Sequence, residues 1–237
     1  MIFEYPLLTG TLVKRYKRFL ADIETDSGII TIHCPNTGSM RGCAEPGSRV
    51  WYWDSGNLKR KYRHSWELVE DQDGHMIGIN TNRANHLIKE AIEQKILVDC
   101  EYDILQSEVR YGEENSRIDL LLTKDDKKTW IEVKSTTLLD VDENKQSQGY
   151  FPDSVTSRGT KHLRELMLQI AQGDKAKLIF CVQHSGIKSV KAAAHIDPLY
   201  AKTLKQAAEA GVEIIAAETL ITETGIKVIG QLPVILE

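Results

Sequence analysis

Arg117-Ile118-Asp119-Leu120-Leu121-Leu122 is followed, across the polar segment Lys124-Asp125-Asp126-Lys127-Lys128, by Trp130-Ile131-Glu132-Val133-Lys134. Each apolar run is short, rich in Ile, Leu or Val and bounded by turn residues, so each reads as a strand. Side chains alternate along a strand. Glu132 and Lys134 therefore share one face, and Ile131 and Val133 the other. A tight turn over 124–128 pairs the runs as a hairpin and can stand Asp119 beside Glu132. Two carboxylates and a lysine then form one patch. Such a patch suits a hard divalent cation with oxygen ligands, Mg2+ or Mn2+, which activates water and polarises a phosphoryl oxygen. Glu132-x-Lys134 alone also suits an ion pair on an exposed sheet face. The acid thirteen residues upstream, at the end of its own strand, favours the metal reading.

Working outward, Ala84, Leu87, Ile88, Ala91 and Ile92 recur at helical spacing, with Thr81 or Asn82 as N-cap. Glu90 flanks that stripe. It either looks into a site at the sheet edge or is an ordinary helix-flank charge. A strand over Ile104–Tyr111 carries Glu108, a candidate accessory carboxylate. Residues 135–157 show no clear element and read as a long loop of the functional or mobile kind. A second helix follows, with a stripe of Leu163, Leu166, Met167, Ile170 and Ala171 ended by Gly173. Arg158, Lys161 and His162 gather at its start. They are either a phosphate contact at a helix N-terminus or solvated charge. Lys177–Val182 reads as a buried strand, Leu199–Ala210 as a helix with Pro198 at its start, Val212–Ala217 as a strand, and Ile226–Ile229 with Val234–Leu236 as a closing edge pair.

Upstream the pattern is all-β. Short runs over Leu7–Val13, Phe19–Ile23, Ile29–His33, Val50–Trp53, Trp66–Glu70 and Met76–Asn80 are separated by turn clusters such as Pro35-Asn36-Thr37-Gly38-Ser39. This spacing fits a five-stranded Greek-key barrel of the oligonucleotide-binding (OB) type. The expected division is 1–80 for the barrel and 81–237 for a mixed α/β unit, an α+β chain. Two clusters in the barrel interleave cations with aromatics. Lys14, Arg15, Lys17 and Arg18 surround Tyr16, and Lys59, Arg60, Lys61 and Arg63 surround Tyr62. Such surfaces neutralise phosphates and stack bases. Solvated strand edges have the same composition. Trp51, Tyr52 and Trp53 fit core or rim packing better than a base platform.

Residues 1–66 hold 10 Lys and Arg against 6 Asp and Glu, whereas the rest of the chain holds 20 against 28. A basic docking unit beside an acidic, metal-binding unit fits this asymmetry. The 237 residues are enough for a large core. No apolar run approaches the length of a membrane span, and the start lacks a secretory pattern. The cysteines, at 34, 43, 100 and 181, form no CxxC pair. A reducing cytoplasm and no membrane partner are the expectation.

The order helix, three strands, helix, strand, with an acid in the second strand and acid-x-lysine in the third, resembles the PD-(D/E)xK, or restriction-endonuclease-like, superfamily. That resemblance implies a mixed central sheet, Asp119 and Glu132 as magnesium ligands with the Val133 carbonyl, and Lys134 as the catalytic lysine. Ile118 stands where the motif has proline. The phrases His33-Cys34-Pro35-Asn36-Thr37-Gly38-Ser39-Met40, Ser116-Arg117-Ile118-Asp119, Ile131-Glu132-Val133-Lys134-Ser135 and Tyr150-Phe151-Pro152-Asp153, with Arg158-Gly159 and Lys161-His162-Leu163, resemble the bacterial sugar fermentation stimulation protein A (SfsA) family. The likeness runs over essentially the full length. It implies an OB-type domain joined to a nuclease-like one, and DNA binding without sequence specificity. It also implies a non-catalytic regulator of sugar (maltose) metabolism, whereas the intact set of Asp119, Glu132 and Lys134 favours a working metal-dependent phosphodiesterase.

Overall fold

The computed structural model describes residues 1–97, 99–112, 116–141 and 147–236. Its first six strands are β1 (Leu8–Tyr16), β2 (Leu20–Thr25), β3 (Gly28–His33), β4 (Arg49–Asp54), β5 (His64–Glu70) and β6 (Met76–Gly78). They lie in the order β3-β2-β1-β4-β5-β6, and a parallel bridge from His33 to Ser65 joins β3 to β5. That bridge closes β1 to β5 into a barrel, which removes the free edges an open sheet would expose. Leu12, Ile23, Ile32, Val50, Trp66 and Val69 fill the interior. The register of β4 against β5 shifts between Trp51 and Tyr52. Tyr52 packs inside the barrel, whereas Trp51 and Leu68 pack outward against the second unit.

That unit opens with α1 (Arg83–Glu93), then β7 (Ile104–Tyr111), β8 (Ser116–Lys124), β9 (Lys127–Thr136), β10 (Leu138–Val141), β11 (Ser147–Phe151) and α2 (Ser157–Ala171). It continues with β12 (Lys175–Val182), β13 (Ser189–Ala192), α3 (Pro198–Glu209), β14 (Glu213–Thr222), β15 (Gly225–Leu232) and β16 (Val234–Ile235). The central sheet runs β15-β14-β12-β9-β8-β7. It is mixed, since β9, β12 and β14 are parallel and the outer pairs antiparallel. Ile131, Val133, Ile179, Cys181 and Ile215 face α1 and the barrel, whereas Leu178, Phe180 and Val182 face α2 and α3. Cover on both faces explains why these strands read as near-continuous apolar runs. No helix among the described residues is long and apolar enough to cross a membrane.

The β8–β9 hairpin turns at Asp125 and Asp126, with φ 48° and 64°. Positive φ at both central residues matches the twist of the flanking strands, and Asp tolerates it better than most side chains. The buried stripe of α1 is Ala84, Leu87, Ile88, Ala91 and Ile92. Its cap is Asn82, whose side chain makes no capping bond; the Asn82 N–H instead donates to Asn80 Oδ1.

Two sequence expectations are corrected. Residues 135–157 hold two strands, β10 and β11, which join β13 and β16 in a second sheet ordered β10-β11-β13-β16. Ser147-Gln148-Gly149-Tyr150-Phe151 has no period-two apolar pattern. Its strand depends on parallel pairing with β13, a non-local partner that local sequence cannot reveal. The centre of that expected loop, 142–146, lies outside the described residues. The closing pair also divides, since β15 pairs with β14 whereas β16 pairs with β13.

Candidate active site and metal centre

Asp119 stands where β8 ends its pairing with β9, one residue beyond the Leu120–Ile131 pair. Face alternation breaks there. Ile118 packs toward α2, whereas Leu120 packs toward α1. Across the ladder, Glu108 holds a φ of 57° between the Ser107–Leu120 and Val109–Ile118 pairs. A left-handed non-glycine costs about 1 kcal/mol or more and concentrates at functional sites. The irregularity lets the Asp119 carboxylate reach across the hairpin. Its Oδ2 accepts from the Val133 N–H at 2.7 Å, and its Oδ1 accepts from Asn85 Nδ2 on α1 at 2.8 Å.

Glu132 points to the other side of the sheet and is 2% exposed. Its Oε1 takes Lys134 Nζ at 2.5 Å and also His162 Nδ1 on α2. Arg158 Nε donates to His162 Nε2 at 3.4 Å, which leaves the ring proton on Nδ1, facing Glu132. Glu132 Oε2 is buried and has no hydrogen-bond partner. A buried carboxylate oxygen left unpaired is costly, and a cation is the occupant that repays that cost. Oxygen donors from Asp119 and Glu132 fit a hard divalent ion. The Val133 N–H meets Asp119, and one strand residue directs its N–H and C=O to the same side. The Val133 carbonyl is therefore available to the same ion.

The electrostatics agree. Burial, with the Glu132 charge beside it, pushes the Asp119 carboxyl up to about 6, against the Val133 N–H, Lys134 and Asn85. Burial also opposes ionisation of Glu132, but Lys134 and His162 outweigh it and hold that carboxyl below its ordinary value. A raised carboxyl favours the folded state below its unfolded value near 4, and this contribution is lost as pH rises through about 6. Asp119→Asn mimics the protonated acid. Without divalent ions it is expected to raise Tm by a few degrees at pH 7.5 and by clearly less at pH 4.5, where the folded carboxyl is already protonated. Equal shifts at both pH values in a thermal melt would refute this assignment. Cation affinity is expected to fall below pH 6, where a proton competes for Asp119.

Val133 and Lys134, beside the two carboxylates, line a cleft of about 380 Å3. Val133, Lys134 and Ser135 form its floor, Asn85 and Thr81 one side, and Thr156, Arg158 and Gly159 of the α2 start another. Asn36, Thr37 and Gly38 of the barrel form a further wall. That barrel loop is clasped twice. Arg15 donates to the carbonyls of Arg18 (2.8 Å), Asn36 (3.0 Å) and Gly38 (2.8 Å). Asp153, from beyond β11, accepts from Ser39 Oγ at 3.0 Å and the Met40 N–H at 3.2 Å.

The sequence-derived candidates therefore separate. Asp119, Glu132, Val133 and Lys134 come together, and His162 joins them as a partner of Glu132. Arg158 lines the cleft. Lys161 lies on the same helix turn, half-buried. Arg15 is occupied as a clamp on the barrel loop. Lys17 and Arg18 are exposed in the β1–β2 turn, with φ 51° and 62°. Lys14 lies 3.5 Å from Asp22. Lys59, Arg60, Lys61 and Arg63 are exposed between β4 and β5, with Arg63 paired to Asp54 and Arg60 stacked 5.9 Å over Trp53. Glu90 lies elsewhere, with the Met1 amino group donating to it at 2.5 Å. Glu108 is exposed beside Asp119. Sequence reasoning missed Asn85 and the wall residues Asn36 to Gly38. The one available signal was a polar residue beside the apolar stripe of α1.

Residues 82–225 match the model of the sugar fermentation stimulation protein RE domain, and residues 13–79 match the SfsA N-terminal OB domain. A sugar fermentation stimulation protein homolog of Shewanella loihica is 56% identical over 237 residues, 99% of both chains. Its counterpart in Aeromonas hydrophila is 58% identical over 218 residues, 91% of this chain and 88% of the other. The solved structure of Pyrococcus furiosus SfsA in complex with Ca2+ superposes with a TM-score of 0.86 at 27% identity, over 99% of this chain and 97% of that one.

Proposed function

The chain belongs to the sugar fermentation stimulation protein (SfsA) family, and on that premise we propose that it binds DNA without sequence preference and hydrolyses phosphodiesters at the Asp119–Glu132–Lys134 centre with Mg2+ or Mn2+. The observation that carries this reading is the buried Glu132 carboxylate, whose Oε2 has no hydrogen-bond partner and whose charge acts on Asp119, directly behind Val133 and Lys134, which line a cleft with the start of α2. The Ca2+ bound by the Pyrococcus furiosus relative supports a divalent site in the fold. Asp119, Glu132 and the Val133 carbonyl would hold the ion. When bound, it would polarise a phosphoryl oxygen and supply an activated water. Lys134 offsets charge developing on phosphorus. His162 and Lys134 fix the Glu132 carboxylate, and Asn85 fixes Asp119. Thr156, whose hydroxyl caps the Gly159 N–H at 3.0 Å, leaves the cationic start of α2 facing the cleft, where a phosphate is favoured.

Binding is assigned to the barrel turns. In an OB fold the β1–β2 and β4–β5 loops contact oligonucleotides. Here those segments carry Lys17 and Arg18, and Lys59, Arg60, Lys61 and Arg63. Arg18 also lends its carbonyl to the Arg15 clamp, so the first turn adjoins the cleft wall.

The test is incubation of single- and double-stranded DNA with the protein and Mg2+ or Mn2+, against EDTA. Metal-dependent products support the enzyme, and no cleavage of either form removes it. Binding without cleavage leaves a DNA-binding factor. Replacing Lys17, Arg18, Lys59 and Lys61 by Ala is expected to weaken DNA binding by at least tenfold at 100 mM salt and to flatten the slope of log K against log salt by about 1 to 3. An unchanged slope would take those turns out of the interface.

A further inference from the structure

We propose that Asp71, His75 and His184 form a second, separate cation site for a four-coordinate transition ion, Zn2+, which ties the barrel to the sheet domain. Asp71 and His75 belong to the turn between β5 and β6, and His184 follows β12. His75 Nδ1 lies 2.9 Å from Asp71 Oδ2, and His184 Nε2 lies 3.6 Å from the same oxygen. All three donor atoms fall within 4.8 Å of one another. A tetrahedral zinc with bonds near 2.0 Å separates its ligands by about 3.3 Å, so these separations need change by only a few tenths of an ångström to at most about 1.5 Å. Two imidazoles and one carboxylate favour zinc over magnesium, which prefers oxygen ligands. The carboxylate is already aimed. Its Oδ1 accepts the N–H groups of Asp73 at 3.0 Å and His75 at 2.7 Å, which turns Oδ2 toward the rings.

His184 is buried, with its ring edge turned toward Asp71. Its Nδ1 accepts from the Gly186 N–H at 3.1 Å, so its proton sits on Nε2, facing Asp71. Zinc at Nε2 requires the other tautomer, with Nδ1–H donating to an acceptor. The β-turn closed by Ile187 N–H to His184 O supplies a way to change. Its central peptide joins Ser185 to Gly186, and reversing that peptide distinguishes the two common turn types. Only a residue at ease with positive φ accommodates the reversal, and Gly186 meets that need without adopting such a φ here. The His75 ring would lie 2.8 Å from a Cβ at Gly186, so the glycine also admits the ring. The site joins units that already share the Ile77–His184 bridge, and β12 pairs with β9, the strand of Glu132.

The experiment uses Asp119→Ala protein, which lacks the carboxylate centre, dialysed against chelator and titrated calorimetrically with Zn2+. One equivalent is expected to bind and to raise Tm. Adding His75→Ala, at a part-exposed position, is expected to weaken Zn2+ binding by at least tenfold and to remove the Tm increase, as is adding His184→Gln. Zn2+ binding unchanged by His75→Ala, or no Zn2+ binding by Asp119→Ala protein with native circular dichroism, overturns the site. The outcome is independent of whether the Glu132 centre cleaves DNA.

Discussion

Lys134→Ala is expected to lower metal-dependent DNA cleavage by about 100- to 1000-fold without lowering divalent-cation affinity, whereas Asp119→Ala loses both. Removing one preorganised donor to a developing oxyanion costs on that order. Lys134 Nζ sits 2.5 Å from Glu132 Oε1 and is not itself a metal ligand. Its charge competes with a cation for the carboxylate. Without it, Glu132 retains only His162 as a charged or hydrogen-bonded partner among those that lower its carboxyl. Calcium titration reads affinity apart from turnover, and a single-turnover assay with Mn2+ reads chemistry. In Lys134→Ala the first should hold or tighten while the second collapses. Lys134→Ala cleaving at the wild-type rate would dismiss the lysine's role. Asp119→Ala binding Ca2+ like wild type would move the metal site elsewhere.

Arg83→Ala is expected to destabilise the protein by about 3 kcal/mol, measured by urea unfolding at pH 7.5. Glu67 on β5 is fully buried, and its Oε1 accepts from Arg83 Nε, at the start of α1, at 2.7 Å. Asn80 Nδ2 donates to the other oxygen at 3.0 Å. Taking away the guanidinium strands a charge that cannot reach water, the situation in which losing one partner is most damaging. For a chain of this length the loss lowers Tm by about 6–12 °C. Glu67→Leu with Arg83→Met removes both charges and is expected to cost less than Arg83→Ala alone. A change under about 0.5 kcal/mol in Arg83→Ala would show that the pair contributes little.

The hairpin of β8 and β9 was readable because its two signals are local. A polar segment with two adjacent aspartates marks the turn, and period-two alternation places Glu132 and Lys134 on one face. Other features depend on partners far away in sequence. Arg15 and Lys17 look equivalent in a row of cations, yet Arg15 faces four loop carbonyls and Lys17 faces solvent. His162 resembled an exposed charge at a helix start, but its turn of α2 packs onto β9 and buries the ring against Glu132. The break in alternation that turns Asp119 toward Val133 leaves no compositional trace. The sheet containing β10 and β11 exists through pairing with β13, more than thirty residues along the chain.

The clasped loop over Asn36 to Met40 has a thermodynamic consequence. One side of it is held by the barrel through Arg15, the other by the second unit through Asp153, and its middle walls the cleft. A ligand lodged there touches both units, so its binding energy is withheld from any state in which either one has opened. Linkage then makes it a coupling agent. As its concentration rises, the two units melt less as neighbours and more as one cooperative body.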